Sequence, residues 1–374
     1  MKHFRTLAAF AAAACLTAGC SPAGDEYRLL VGTRTGEEPR AGVFLFSLDP
    51  ESLEYKTLDS AGAANPTFVI QSASNPRRAY SVGEFEDGER EALYSYTLDG
   101  DNLEIAAVRP LPVIGGISAG SPCNVVEYCG YVATSNYTGG TISVLPLDSR
   151  GLAEPELERF APASVSGFPA APEHHIHCAV LSPDGEFLFA TDLGADCIYR
   201  FSVAEGQPLG EPAIAFAFDR TEHPGPRHLV FNGRGDRAYL ISEVGDLLTT
   251  FAYSEGRLEH LSSIPAYDGG GHGSGDIHLS PDGRFLYTSH RLKKDGIALF
   301  RVDGGDGLPE PAGYFPTGRH PRNFAISPDG RYLLCACRDD NRIEIYAVDP
   351  DSGALSFSGR SIRVNAPTCV QFLR

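Results

Sequence analysis

The chain has 374 residues, 42% hydrophobic and 21% charged, proportions that exclude an intrinsically disordered chain. Asp and Glu (48) outnumber Lys and Arg (31), and a formal net charge of −17 argues against a nucleic-acid partner, whose phosphates need a basic face. With 41 Gly and 27 Pro the chain calls for many turns rather than long helices, and beyond residue 20 it has no apolar run long enough to span a bilayer.

Lys2, His3 and Arg5 form a basic head, residues 7–16 an apolar, Ala-rich stretch, and Leu16-Thr17-Ala18-Gly19-Cys20 leads into Ser21. A basic head, a short apolar core and small residues before a cleavage point describe a secretory signal, too short for a transmembrane helix. The Leu-Thr-Ala-Gly-Cys string resembles a bacterial lipobox. That resemblance implies a signal peptide over 1–19, a lipidated Cys20 and a tether over 20–26. It also implies a place in the bacterial cell envelope, with the lipid as the sole membrane contact. Seven further cysteines follow, at 123, 129, 178, 197, 335, 337 and 369. Their odd number leaves at least one free thiol, and Cys123–Cys129 is the one local pair that reads as a disulfide. No Cys/His spacing suggests zinc.

From Tyr27 onward the chain repeats itself. Tyr27-Arg-Leu-Leu-Val-Gly and Val43-Phe-Leu-Phe-Ser-Leu open as strands. Copies of one pattern then start at Asn65-Pro-Thr-Phe-Val, Ser121-Pro-Cys-Asn-Val, His177-Cys-Ala-Val-Leu, Gly225-Pro-Arg-His-Leu, Asp276-Ile-His-Leu, His320-Pro-Arg-Asn-Phe and Ala366-Pro-Thr-Cys-Val. Three of them run into Ser-Pro-Asp-Gly, a tight turn in which Pro presets φ and Gly accepts a positive φ. Equivalent positions at 65, 121, 177, 227, 276, 322 and 368 lie 46 to 56 residues apart. A period near fifty with four short strands per unit predicts a β-propeller. The last strand, in residues 368–373, needs the strands near residues 27 and 43 to complete its sheet. The expected fold is therefore an all-β, seven-bladed β-propeller over 27–374, its last blade closed by both termini. Such closure hides the edges of a linear array, so a monomer is expected.

Seven strings make the repeats similar to a known family. They are Val31-Gly-Thr, Asn136-Tyr-Thr-Gly-Gly, His175-Ile-His177, Thr191-Asp-Leu-Gly-Ala-Asp, Gly225-Pro-Arg-His, Ser242-Glu243 and Gly318-Arg-His-Pro-Arg-Asn-Phe. The chain resembles the seven-bladed lactonase family, whose best-known activity is 6-phosphogluconolactonase. The same group includes a fungal carboxymuconate-lactonising enzyme. The resemblance implies a polar cluster at one mouth of the central channel. It gives catalytic roles to His175, His177 and Glu243 and substrate-binding roles to Arg227 and Arg291. His228 and Arg322 occupy similar repeat positions and are expected to bind substrate with them; His278 shares the repeat position too. The residue types suit a lactone or its sugar acid. Arginine binds carboxylate through two parallel hydrogen bonds and stabilises the oxyanion left by water attack. A His or Glu takes the proton from that water or returns one to the leaving alkoxide. Alternation puts His175 and His177 on one strand face as a metal pair would be, but no third ligand is visible, so neither metal nor cofactor is expected.

Departures from the family touch the same face. Ala170 and Ala171 stand where Arg-Gln is common, His174 where Pro is, Asn124 where His is, and Cys337-Arg338 where Asn-Gln is. They imply a substrate other than the family's named one. The run Gly269-Gly-Gly-His-Gly-Ser-Gly275 opens a strand and lacks a Lys-Ser/Thr ending, so it reads as a flexible connection rather than a phosphate cradle. Three functions stay open at this point. The first is hydrolysis of a sugar lactone or a related lactone. The others are a non-enzymatic envelope propeller that binds a protein or glycan, and a lyase that makes the lactone bond.

Overall fold

The computed structural model describes residues 26–36, 41–165, 167–168, 173–219 and 222–374. The expected signal peptide over 1–19 and Cys20, and Ala170 and Ala171, lie outside the described residues. Within them, seven antiparallel sheets of four strands form. Blades 1 to 6 each use four consecutive strands, over 69–110, 122–160, 176–217, 226–265, 274–316 and 321–363. Blade 7 takes Pro367–Phe372 from the C-terminal end and Tyr27–Thr33, Val43–Leu48 and Tyr55–Ala61 from the N-terminal end. The expected seven-bladed ring and its closure by both ends are both present.

Apolar side chains fill the interface between each pair of neighbouring blades. Leu30, Leu45 and Val69 join blades 7 and 1, and Leu29, Phe46, Leu334 and Ile345 join blades 6 and 7, so the closing seam is packed like the others. Second-strand tyrosines pin the ring further. The hydroxyls of Tyr80, Tyr239, Tyr287 and Tyr332 donate to the carbonyls of Gly151, Gly307, Gly353 and Pro50, each in the following blade. The Ser-Pro-Asp-Gly strings are the expected turns. In blade 3 the Ser182 hydroxyl donates to Asp184 Oδ1 at 2.5 Å, and Gly185 sits at φ 74°.

The first strand of each blade lines the channel, and its entry has an unusual geometry. Asn65, Ser121, Gly225, His320 and Ala366, each just before a proline, take φ values of 44°, 51°, 66°, 58° and 39°. A pre-proline residue prefers extended backbone, so the left-handed turns at the four non-glycine residues are strained, while Gly225 has no Cβ to clash; strain of this kind gathers at functional sites. After the proline, or after Ile176 in the blade over 176–217, the ladder skips a residue: Cys123, His177, Arg227, Arg322 and Thr368 are each passed over. A bulge re-aims the side chain it frees. In blade 5 both Gly275 and Asp276 are skipped. The matching positions of blades 1, 2 and 5 are thus Thr67, Cys123 and Gly275, one or two residues from the 65, 121 and 276 inferred from sequence, because the turn rather than the bulge was aligned.

The proposed Cys123–Cys129 disulfide is absent; all seven cysteines among the described residues are free. Both thiols flank or enter the extended strand Pro122–Tyr128, and at about 3.3 Å per residue that strand holds them roughly 20 Å apart.

Candidate functional site

The freed residues converge at one mouth of the channel. Arg227 follows the bulge of blade 4 and Glu243 follows the second strand of the same blade, Arg237–Ser242. Arg227 Nε donates to Glu243 Oε2 at 2.7 Å, and its Nη1 donates to the Gly275 carbonyl at 2.7 Å. Arg291, just after the second strand of blade 5, forms an ion pair through Nη2 with Glu243 Oε1 at 2.9 Å. Its Nε donates to the Gly273 carbonyl at 3.2 Å. Both arginines are almost completely buried, with side chains 2% and 4% exposed, while Glu243 keeps 23%. Burial alone would raise the Glu243 carboxyl, but Arg291, Arg227 and Arg322 outweigh it and hold the acid below its ordinary value. Burial lowers Arg291 to about 9, which leaves it charged at neutral pH.

Arg322 comes from the bulge of blade 6. Its nearest carboxylate is Glu84 Oε2 at 3.7 Å, an oxygen that also accepts a hydrogen bond from Thr67 Oγ1. Three arginines thus face two glutamates, a local cationic excess in an acidic protein. Local fields of this kind draw anions despite the overall charge.

His177 lies against this group, its Nε2 4.0 Å from Glu243 Oε2 and its Nδ1 3.9 Å from Cys123 Sγ. Burial, then Arg227, His228, Arg322 and Arg291, push its proton affinity well below the usual histidine value, so it is neutral at working pH. Its ring meets Tyr137 edge-on with centroids 5.5 Å apart. The other expected catalytic histidine is placed elsewhere. His175 stacks flat on Tyr137 at 4.4 Å, donates from Nδ1 to the Tyr137 carbonyl at 2.9 Å and turns Nε2 to Glu173 at 3.2 Å. The strand Ile176–Leu181 begins after it and bulges at His177, so the alternation that would have aligned the two histidines fails. His174 bonds Asp192 Oδ2 at 2.6 Å. Among the described residues no three His, Cys, Asp or Glu side chains are grouped as a metal ion needs. A cavity of about 690 Å³, lined by Thr138, Gly140, Thr141, Glu173, His174 and His175, opens on the outer side of the Tyr137–His175 stack.

His228 is one residue deeper in the channel. Arg227 Nη1 lies 3.1 Å from its Nε2, and because a guanidinium only donates, that nitrogen accepts. Nδ1 therefore carries the hydrogen and donates to Asp276 Oδ1 at 2.7 Å. His228 also meets His177 edge-on at 5.2 Å and Phe68 of blade 1 at 6.3 Å, across the narrow channel.

Sequence reasoning missed three parts of this site. Asp276 was seen only as the start of a repeat, since one buried acid gives no signal without its partners. Glu84 carried no motif. The glycine run 269–275 is more than a connection, because its Gly273 and Gly275 carbonyls hold Arg291 and Arg227, and backbone acceptors leave no trace in side-chain patterns.

Fold and site together define a seven-bladed propeller with a buried arginine–glutamate–histidine centre at one channel mouth. The chain belongs to the seven-bladed β-propeller lactonase family, whose model matches residues 28–372. A 6-phosphogluconolactonase of Formosa agariphila is 30% identical over 352 residues, 92% of this chain and 98% of that protein. The periplasmic gluconolactonase of Pseudomonas aeruginosa superposes with a TM-score of 0.82 at 29% identity, over 94% of this chain and 99% of its own. A Bacteroides fragilis structure, provisionally described as a 6-phosphogluconolactonase, gives 0.83 at 36% identity, over 95% and 99%.

Proposed function

We propose that the chain hydrolyses the ring ester of a sugar lactone at the arginine-lined mouth. The observation that carries this reading is Glu243 held between Arg227 and Arg291, with His177 4.0 Å away, in a member of the lactonase family. Water adds to the ring carbonyl and its proton passes to a base at the mouth. The ring C–O bond then breaks and the alkoxide takes a proton, giving the open hydroxy acid. A guanidinium placed where the carbonyl oxygen becomes negative stabilises that state more than the ground state. The cationic excess favours a lactone that carries an acid or phosphate group. The relatives' names, 6-phosphogluconolactonase and gluconolactonase, support a sugar lactone as the class.

The test is acid release by the purified chain on 6-phosphogluconolactone, gluconolactone and simple γ-lactones, with Arg227→Ala beside it. Turnover lost in the variant supports the reading; no turnover on any lactone sinks it. We further propose an envelope lipoprotein, anchored through Cys20 and monomeric. Labelled palmitate incorporated by the wild type and not by Cys20→Ala would support the anchor, and light scattering would give the mass in solution.

A further inference from the structure

We propose that His228 is the base that takes the proton from the attacking water, and that Asp276 is its positioning residue. The inference rests on the lactone-hydrolysis reading and adds to it the identity of the base.

The other groups at the mouth suit that task poorly. One oxygen of Glu243 accepts a hydrogen bond from Arg227 and the other is ion-paired with Arg291, and those arginines weaken it as a base. His177 has no carboxylate of its own: Glu243 Oε2 is 4.0 Å away and is shared with Arg227. Nε2 of His320 lies 3.3 Å from Arg291 Nη1, and its Nδ1 is 3.7 Å from Asp339. His175 is engaged by Tyr137 and Glu173.

His228 has the arrangement that an imidazole base needs, one nitrogen anchored through its hydrogen to a buried carboxylate and the other presenting its lone pair. The anchor is well built. Asp276 is 3% exposed and accepts from four donors. They are His228 Nδ1 at 2.7 Å, the Ile277 amide at 3.0 Å, His278 Nε2 at 2.8 Å and the Asn323 amide group. His278 approaches from the opposite mouth of the channel, where it is 40% exposed and borders a cavity of about 320 Å³. Burial opposes ionisation of Asp276, but His278 and His228 hold it well below the usual carboxylate range. It is therefore a permanent anion in the channel core.

The groups facing His228 are Arg227, Asp276, His177 and, beyond Asp276, His278. Burial and Arg227 lower His228 to about 4, against the pull of Asp276. It is thus less depressed than His320, at about 3. Among the described residues, only Arg227 Nη1 makes a hydrogen bond to Nε2. An anionic substrate that draws the Arg227 guanidinium toward itself frees that lone pair for water. The proton leaves water for Nε2 as the carbon–oxygen bond forms, and Nε2 returns it to the ring alkoxide as the ester bond breaks, so atoms and charge balance over the cycle.

The experiment measures kcat and KM against pH for the full chain, its Asp276→Asn and His228→Gln variants, and the double variant, each checked for fold by circular dichroism. Expected are a fall in kcat of about 100-fold or more in each single variant, with little change in KM, and a double variant no worse than the worse single one. In Asp276→Asn the acid limb of kcat/KM also moves to lower pH, because His228 loses the anion that raises its proton affinity. A packing defect would not move that limb. Should Asp276→Asn fail to fold, His228→Gln alone decides: kcat within a few-fold of wild type overturns the assignment. Wild-type turnover that survives in both variants overturns only the base, whereas a wild type inert on every lactone overturns the hydrolase reading and this one together.

Discussion

Glu243 gives one carboxylate oxygen to Arg227 and the other to Arg291, so a single acid from blade 4 ties together two guanidinium groups from adjacent blades. Each arginine is anchored a second time on a blade 5 carbonyl, Gly275 for Arg227 and Gly273 for Arg291. Both charges are therefore gathered at the mouth before a substrate arrives, so that beyond the release of His228 by Arg227 Nη1 little reorganisation is needed for electrostatic stabilisation of a transition state.

Glu243→Gln keeps the shape of this tie and removes its charge. Two buried arginines then repel each other without compensation. Breaking one partner of a buried ion pair costs about 3 kcal/mol, and that loss is expected in urea denaturation of the variant. A midpoint unchanged from wild type would mean that the arginines are stabilised by their carbonyl acceptors alone.

Arg322 should behave oppositely. Its carboxylate is 3.7 Å away, so Arg322→Ala is expected to cost about 1 kcal/mol of stability or less. Its charge, however, is the least engaged of the three and the most available to an anion. The KM for 6-phosphogluconolactone should rise roughly 10- to 100-fold, the value of a charge-assisted hydrogen bond, while that for uncharged gluconolactone stays within a few-fold. Equal effects on both lactones would refute charge selection by this residue.

These two residues also show what the sequence could and could not disclose. The blades were legible because the repeat carries its own turn chemistry, Ser-Pro-Asp-Gly, and because an incomplete repeat at one end matched loose strands at the other. Arg227, Glu243, Arg291 and His177 were named through the family resemblance, and they meet because the starts of first strands and the ends of second strands lie at the same mouth. The place of His175 was not legible, since a bulge at the next-but-one residue breaks the alternation on which its placement depended. Asp276 was hidden for a similar reason: two residues are skipped in blade 5 alone, and that irregularity has no signature outside the fold.

Stability should fall as the pH drops from 7 toward 5. His177, His228, His290 and His320 are buried, and burial is the first cause that lowers each below its unfolded value of 6.5, to about 4 for His228 and about 3 for His290 and His320. Below pH 6.5 the unfolded chain binds protons that the folded chain refuses, which favours unfolding by up to about 1.4 kcal/mol per pH unit for each group. His278 acts in the other sense. Burial would lower it, but Asp276 raises it, so its contribution is complete below 6.5 and is lost as pH rises through its folded value. Four groups outweigh one. Glu243, held below 4.5, adds a further loss only as pH falls through its depressed value. Thermal melts at pH 7, 6 and 5 read the slope, and a flat profile would contradict it.

Gly273→Ala tests the carbonyl anchor of Arg291. A Cβ there would stand 2.5 Å from the Arg291 carbonyl oxygen and 2.9 Å from Leu292 Cγ, so backbone must move. The segment that moves is the one that carries the Arg291 guanidinium, whose Nε depends on the Gly273 carbonyl at 3.2 Å. Overpacking of this kind costs about 1–3 kcal/mol, but the larger effect should fall on the site. A shift of about 1 Å in a charged group that faces the reacting carbonyl is enough for a roughly 100-fold loss in rate. Gly269→Ala, four residues earlier, meets the Tyr267 ring instead of the backbone under Arg291 and serves as the comparison. If both variants lose stability but only Gly273→Ala loses turnover on lactones, the glycine run holds the site through its carbonyl; equal turnover in the two would reduce it to a linker.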